Sequence, residues 1–314
     1  MLKFGRNYRM KIKIGKVVVE NKKVMPRWDE EIEITYPLTV NFQITRAQYS
    51  NMNTAHFEIY NLSETTRSKI YKDKYMTEKV IRVEFYAGYG TDTQNLPLCF
   101  AGDVFDCFSD KRGGDPNIKT EMTCNVALLG RQKGYINQTF AAETKPLTII
   151  QTLCNAASLQ LGNSDSEYIA KMEPLIEDTP FVGNVIDVLQ DYVAGHAYID
   201  SSMDIDKVWI LDKKDVLPQK YYLTIDDSSI LGTPKRRDVC IVIDMLFEPR
   251  LVENQAIELK SRTASFFNGI YKIIGFTHQG TISGAVGGNC QTTALLEIGE
   301  NKFNFVTENN GVEQ

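Results

Sequence analysis

Histidine offers the most versatile chemistry of any side chain at neutral pH, and this sequence contains only three: His56, His196 and His278. They lie far apart and show neither HxxxH nor HExxH spacing, so a zinc site would need an unusual constellation. No GxSxG nucleophile elbow and no Walker A loop occurs in the sequence. The sequence therefore predicts no metal, no cofactor and none of these three kinds of catalytic centre.

Cysteine is the second residue type with its own chemistry, and six cysteines are spread along the chain. None of them forms a CxxC pair, and each sits among apolar or strand-like neighbours, which predicts buried, reduced thiols. An even count in so long a chain is weak evidence for disulfides. The six positions are Cys99, Cys107, Cys124, Cys154, Cys240 and Cys290.

Paired carboxylates could serve general acid–base catalysis if two of them faced one cleft. The acidic pairs of this sequence are Glu30-Glu31, Asp204/Asp206 and Asp226-Asp227. Adjacent residues on a strand point to opposite faces, which disfavours Asp226-Asp227 as a catalytic pair and predicts a solvated turn. The chain is therefore not expected to be an enzyme.

The compact basic cluster Lys235-Arg236-Arg237 follows a Gly-Thr-Pro turn. The cluster predicts a solvated loop or a contact with a partner, rather than a nucleic-acid site. The whole chain has 35 basic and 40 acidic residues and a formal charge of −5. A surface that coats a phosphate backbone needs concentrated positive charge, so broad nucleic-acid binding is not predicted.

Length and composition are those of a globular protein with room for two or three domains. The chain has 314 residues, of which 43% are hydrophobic and 24% charged. No stretch approaches the roughly 20 apolar residues that span a bilayer. The first residues lack the apolar region of a secretory signal, so we expect a soluble chain that is assembled in a cytoplasm.

The first 130 residues have the two-residue periodicity of half-buried strands. Apolar and polar residues alternate over 38–44, 55–59 and 81–87, and further strands are expected at 98–108 and 118–128. The Gly-, Asp- and Pro-rich connector 111–117 suits a chain reversal between the last two. Ser63 is expected to cap one short helix between the strands.

The pattern becomes helical near residue 145 and returns to strands near 221. Pro146 suits the first turn of a helix, and a second apolar stripe with helical spacing begins at about Val182. The glycine-rich segment 280–289 lacks the Gly-x-Gly-x-x-Gly spacing and joins two strands, so it predicts a hairpin tip and not a nucleotide cradle. The tail after residue 300 is polar.

The order of several phrases resembles that of bacteriophage tail and baseplate hub proteins, over roughly residues 35 to 298. One departure is Cys290, which stands near the end of the glycine-rich hairpin where relatives often have an aromatic residue. The phrases are Thr54–Ser63, Ala87-Gly88-Tyr89-Gly90, Leu98–Val104, Phe181–Leu189, Leu231–Lys235, Leu246–Leu251 and Asn268–His278.

This resemblance implies a mainly β (α+β) fold with two tail-tube-like antiparallel β-barrels and a small helix-containing α/β domain between them. The domains would be an N-terminal barrel at 1–140, the α/β domain at 145–215, a second barrel at 220–300 and a polar tail at 301–314. The two β-rich regions and the helical middle that the periodicity predicts agree with this expectation.

The resemblance also implies a structural virion protein, a baseplate or tail hub whose three copies form a ring. The ring would adapt the six-fold tail tube to the three-fold central spike, beside the tape measure protein and surrounding baseplate proteins. Double-stranded DNA would pass through its channel without specific binding, which a modest negative charge favours. Two alternatives stay open: a hub-associated cell-wall-degrading tail enzyme, and the hub of a contractile injection or secretion machine.

Two hairpins are the expected subunit-interface sites, because strands that join a ring leave no unpaired edge facing water. They would reach adjoining subunits or the tube ring; the alternative is two solvent-exposed loops without partners. The residues are Arg112, Gly113, Gly114, Asp115, Gly284, Gly287 and Gly288.

Overall fold

The computed structural model describes residues 5–20, 23–47, 53–200, 206–218, 223–285, 287–299 and 302–309. The chain divides into two compact units. Unit 1 comprises residues 1–16, 28–125 and 220–302, and unit 2 comprises residues 17–27, 126–219 and 303–314. Most of both predicted β regions falls in unit 1, but residues 17–27 and 126–140 fall in unit 2 together with 145–215.

Unit 1 is built on a large, mainly antiparallel sheet and one short helix, α1 (Glu64–Ile70). The first seven strands are β1 (Arg6–Glu20), β2 (Lys23–Thr35), β3 (Val40–Ala47), β4 (Thr54–Tyr60), β5 (Lys79–Tyr89), β6 (Leu98–Asp110) and β7 (Lys119–Asn125). In unit 2, strands β8 to β13 are β8 (Tyr135–Phe140), β9 (Gln160–Leu161), β10 (Thr179–Asn184), β11 (Ala197–Asp200), β12 (Lys207–Ile210) and β13 (Asp215–Val216). The remaining strands are β14 (Leu223–Asp226), β15 (Lys235–Arg237), β16 (Cys240–Leu246), β17 (Ala256–Lys260), β18 (Gly269–Ile282), β19 (Cys290–Glu297) and β20 (Asn304–Phe305).

No closed barrel is found among the described strands, so the two expected barrels are not confirmed; thirteen of these strands form one open sheet. Its order is β15-β16-β19-β18-β3-β4-β7-β6-β5-β1-β2, with β17 also pairing β18 and β14 pairing β17. The physical reason is that β18 is bonded on both sides: it is antiparallel to β19 and also to β3, where Ile44 lies opposite His278. Backbone hydrogen bonds therefore join the two predicted β regions into a single 13-stranded sheet.

Aromatic side chains fill the core beneath this sheet. Phe85 is fully buried, and its ring centroid lies 6.0 Å from Tyr8, 5.2 Å from Phe42 and 5.0 Å from Phe57. Phe42 in turn lies 5.6 Å from Phe247, which comes from the second β region. Because aromatic pairs at these distances contribute beyond their burial, this cluster stabilises the joint between the two regions.

A second apolar cluster in unit 1 is made by the later strands alone. The alternation of β16 explains it, because every other residue of that strand is buried. The buried members are Ile225, Ile241, Ile243, Met245, Leu251, Ile257, Leu259, Ile273, Phe276, Ala294 and Leu296.

Unit 2 contains the helical middle of the chain: α2 (Leu128–Lys133), α3 (Pro146–Ala156), α4 (Glu167–Lys171) and α5 (Val185–Tyr192). Pro146 opens α3 as predicted, and α3 buries its apolar face. None of the helices in the described part of the chain is long and apolar enough to cross a membrane. The small sheets of unit 2 are β11-β12-β9, β10-β8 and β13-β20.

Helix boundaries follow the local capping residues. Ser63 caps α1 as predicted, since its side chain accepts a hydrogen bond from the Thr66 amide. The helix predicted from about Val182 begins at Val185 instead, because Asn184 caps it and accepts from the Ile186 amide. The preceding residues pair with β8 as strand β10.

Candidate functional site

Two of the three histidines are held in structural roles. The Nδ1 atom of His56 lies 3.4 Å from the Thr123 hydroxyl on the neighbouring strand. The ring of His196 stacks on Tyr168 at a centroid distance of 3.8 Å. Within the described residues, no group of three or more His, Cys, Asp or Glu side chains could hold a metal ion.

The acidic pair Asp226-Asp227 serves turns, as predicted. The Asp226 carboxylate accepts hydrogen bonds from the backbone and hydroxyl of Ser228, at 3.0 and 2.5 Å. The Asp227 carboxylate accepts from the Arg262 amide at 3.1 Å. Because each carboxylate caps a separate loop, the two do not face one cleft. Of the pair Asp204/Asp206, the first residue lies outside the described residues.

All six cysteines are free, and five of them are buried. Burial raises the pKa of Cys99, Cys107 and Cys154 to about 12 in each case. A thiol is nucleophilic as the thiolate, so these groups are inert at neutral pH. Cys240 differs from the others because its side chain is half-buried.

Cys240 is therefore expected to be the first thiol to react in the native protein. With a chromogenic disulfide reagent we expect one fast equivalent per chain, and all six only after denaturation. The Cys240→Ser variant should lose the fast equivalent and keep the other five. Two or more fast equivalents, or a disulfide mass shift in fresh protein, would contradict this assignment.

His278 is a fully buried histidine on β18. Its Nδ1 atom lies 2.8 Å from the Thr292 hydroxyl, and its ring packs against Phe276 and Phe247. Burial, together with the positive charge of Arg46, lowers the pKa of His278 to about 3. The side chain is thus neutral in the folded protein at physiological pH.

His278 should make the protein less stable as the pH falls. Its pKa is near 6.5 when unfolded and about 3 when folded, so the unfolded chain binds an extra proton between these values. This contribution is fully present above pH 6.5 and declines below it by about 1.4 kcal/mol per pH unit. Urea unfolding at pH 7.5 and 5.5 should show a smaller loss for His278→Gln than for the parent; equal losses would refute the assignment.

The first predicted interface site is the exposed turn between β6 and β7. The Asp115 amide donates to the Arg112 carbonyl at 3.1 Å, and the Asp115 carboxylate accepts from the Asn117 amide at 2.8 Å. Gly114 has a φ of +86°, a conformation that favours glycine. These bonds fix the shape of the turn and leave its side chains in solvent.

The second predicted site is the connection between β18 and β19. The Gly284 amide donates to the Pro37 carbonyl at 3.0 Å, and a Cβ on Gly284 would lie 2.5 Å from a Pro37 side-chain atom. A Cβ on Gly288 would lie 2.7 Å from the Thr281 carbonyl oxygen. Gly287 faces open space instead. Two of the three glycines thus allow close backbone approach, and the third has no steric requirement.

The sheet topology brings both sites to the same end of unit 1. The two intervening strands, β3 and β4, present the residues 37–39 and Asn61 there, since the Tyr60 amide donates to the Thr39 carbonyl at 3.0 Å. The Asn61 amide group donates to the Asn117 side chain at 2.8 Å, and the Thr39 hydroxyl lies 2.6 Å from that of Ser283. We call this surface the loop end; it comprises 37–39, Asn61, 111–117 and the described residues of 283–289.

The residues that lie between the two hairpins were not predicted from the sequence as part of this site. Pro37 precedes a strand, which is a turn signal that could have placed it at a sheet end. Asn61 has a φ of +60°, a conformation that Asn adopts more readily than most residues. Its place in the phrase Thr54–Ser63, which resembles the hub proteins, was a second signal.

A polar network supports the strands directly behind the loop end. Glu58 on β4 accepts from the Asn41 amide group at 2.9 Å and from the Lys119 ammonium at 3.1 Å. Burial alone would raise the pKa of Glu58, but these hydrogen bonds and the Lys119 charge lower it overall. The network links β3, β4 and β7, so the loop end stands on a rigid base. Exposed backbone and short polar side chains on such a base suit contact with another macromolecule.

A protein-family model matches residues 16–281 of the chain. The matching family is described as baseplate hub gp41. A comparison with curated proteins found no match.

Solved structures with a similar fold come from phage tails and secretion machines. The prophage MuSo2 43 kDa tail protein from Shewanella oneidensis is 8% identical with a TM-score of 0.52, covering 92% of this chain and 98% of that one. The E. coli c3393 protein, a type VI secretion component, is 10% identical with a TM-score of 0.54, covering 86% and 76%. A chain of the Francisella PdpA-VgrG complex is 9% identical with a TM-score of 0.58, covering 97% and 55%. At these identities the likeness concerns the fold alone.

Proposed function

The chain belongs to the baseplate hub gp41 family, and from that premise we propose that three copies form a ring between the tail tube and the central spike. The match that carries this proposal spans both β regions and the helical middle, from residue 16 to residue 281. A baseplate hub is a structural component of a phage tail. We therefore place the chain in the virion tail, after assembly in the host cytoplasm.

The ring would match six-fold and three-fold symmetry through the two β regions of each chain. Strands β3 to β7 come from the first region and strands β14 to β19 from the second. Three copies would supply six such regions toward the tube and three equivalent faces toward the spike. In place of two closed barrels, each chain would contribute the two halves of one open sheet.

The loop end is the surface that we propose for contact with the tube ring or adjoining subunits. It contains the seven interface candidates, and its turns are exposed and internally braced. The spike, the tape measure protein and the surrounding baseplate proteins would bind other surfaces. DNA would pass through the ring without specific binding, because a formal charge of −5 disfavours adhesion of a phosphate backbone.

A second candidate function is the hub of a contractile injection or secretion machine. The observation that favours it is the fold shared with the c3393 protein and with a PdpA-VgrG complex chain. The family match to a baseplate hub favours the phage tail.

Light scattering after size-exclusion chromatography tests the ring directly. The chain has a mass of 35.6 kDa, and we expect a particle of three times that mass. A single-chain mass at every concentration would contradict the ring. If that species also cleared a peptidoglycan zymogram, the enzyme alternative would stand instead.

Deletion of residues 284–288 tests the role of the loop end; Val286 in this segment lies outside the described residues. We expect an unchanged circular dichroism spectrum and impaired assembly into tails. Arg262→Ala is the control and should assemble normally, because Arg262 lies outside the loop end and its side chain is 95% exposed. Normal infectious particles from the deletion would rule out an essential role for this hairpin.

A further inference from the structure

Three described strands of the 13-stranded sheet, β2, β14 and β15, pair with one neighbouring strand only, and two of them, β2 and β15, end its main path. Among the described strands, β2 pairs with β1 alone and β15 pairs with β16 alone. The Val24 carbonyl near the start of β2 also accepts a hydrogen bond from the Ser158 hydroxyl. The outer edge of such a strand presents unpaired backbone donors and acceptors that can bind another strand. A structural protein that assembles with copies of itself has a use for both edges.

The two edges carry opposite charge. Every residue of β15, Lys235-Arg236-Arg237, is exposed. The C-terminal half of β2 carries four exposed acidic residues, Asp29, Glu30, Glu31 and Glu33. Glu30 and Glu31 are paired with Lys69 and Lys11, but exposed ion pairs are weak and readily exchange partners.

An apolar groove lies beside the acidic edge. It has a volume of about 440 Å³ and is lined by 14–16 from β1, Asp29 from β2 and the segment 75–79. Tyr75 and Met76 at its rim are 78% and 40% exposed. A groove with exposed apolar side chains at its rim suits an apolar side chain from a partner.

An exposed apolar side chain lies beside the basic edge. Val239, two residues after β15, is 74% exposed in the turn that leads into β16. A basic strand followed by an exposed valine thus matches an acidic strand beside an apolar groove.

We propose that the β15–β16 hairpin of one copy docks on the β2 edge of a second copy, with Val239 in the groove. The inference rests on the proposed function, since it names the contact that would build the ring. The contact joins two different surfaces, so repeated copies form a ring when the rotation between them closes. Like charges disfavour pairing of β2 with β2 or of β15 with β15, which fixes one direction around the ring.

Charge reversal tests this contact. The triple variant Lys235→Glu, Arg236→Glu, Arg237→Glu should raise the dissociation constant of the oligomer by about ten-fold or more, because acid then faces acid. Sedimentation velocity over a concentration series measures it. Arg262→Glu is the matched control: its side chain is 95% exposed in the same unit, and its substitution should leave the constant unchanged. Val239→Asp should weaken the oligomer without changing the fold.

Restoring opposite charges should restore assembly. By itself, the double variant Asp29→Lys, Glu33→Lys is expected to dissociate the oligomer. When the same chain also carries the triple β15 reversal, the oligomer should form again. Recovery distinguishes a direct contact from a misfolded variant. Full-strength assembly of the triple variant, or equal weakening by Arg262→Glu, would overturn this inference and leave the ring intact. A parent chain that stays single at all concentrations would overturn the ring as well.

Discussion

Phe85→Ala is expected to lower the free energy of unfolding by about 3–5 kcal/mol. Phe85 is fully buried at the centre of the aromatic cluster and contacts Tyr8, Phe42 and Phe57. Its removal leaves a cavity that the neighbouring rings fill poorly, because each ring is fixed on a different strand. Urea unfolding followed by circular dichroism gives the measurement.

Two control variants separate cavity formation from a general effect of losing a phenylalanine. Phe85→Leu keeps most of the volume and should cost distinctly less. Phe266→Ala removes a ring that is 78% exposed and should change stability by less than about 0.5 kcal/mol. A loss below about 1 kcal/mol for Phe85→Ala would show that the aromatic cluster does not hold unit 1 together.

Asp103→Ala should destabilise the protein by about 3–5 kcal/mol, because it removes one partner of a buried ion pair. The Asp103 carboxylate lies 3.2 Å from the Arg82 guanidinium, and both side chains are less than 10% exposed. Burial lowers the pKa of the nearby Lys72, and the Asp103 charge counteracts that effect. Thermal unfolding of parent and variant at pH 7 measures the loss.

A double variant checks the cause of that loss. Arg82→Met combined with Asp103→Leu replaces the pair by apolar groups, which is often nearly neutral. The double variant should therefore be more stable than Asp103→Ala. If the double variant is the less stable of the two, lost packing and not unpaired charge explains the effect.

Local patterns in the sequence predicted the helices and strands of this fold better than they predicted which strands pair with each other. Ser63 and Pro146 were recognised from short-range capping rules, and both begin helices in the structure. The start of α5 was misplaced because the residues before Asn184 are equally compatible with a strand, and their partner β8 is distant in sequence. Alternating residues specify which face of a strand is buried but not which strand lies beside it. The open sheet results from one such choice of partner, the pairing of β3 with β18.

For the same reason, the turns of the loop end could be predicted but their proximity could not. Glycine, aspartate and proline mark 111–117 as a turn, and glycine and asparagine mark 284–289, whatever the surrounding topology. That the two turns lie at one end, on either side of Asn61, follows from the order β18-β3-β4-β7. No local signal encodes that order.

The pairing of β3 with β18 has a consequence for how the protein is made. Ile44 and His278 are partners although 234 residues separate them, since 278 − 44 = 234. A ribosome that adds about 5–20 residues per second needs roughly 12 to 47 s to cover that distance. During this interval the edge of β3 that pairs with β18 has no native partner, and the apolar residues of β3 are accessible to other nascent chains. Synthesis of this protein is thus expected to depend on chaperones that shield the first β region until the last long strands emerge.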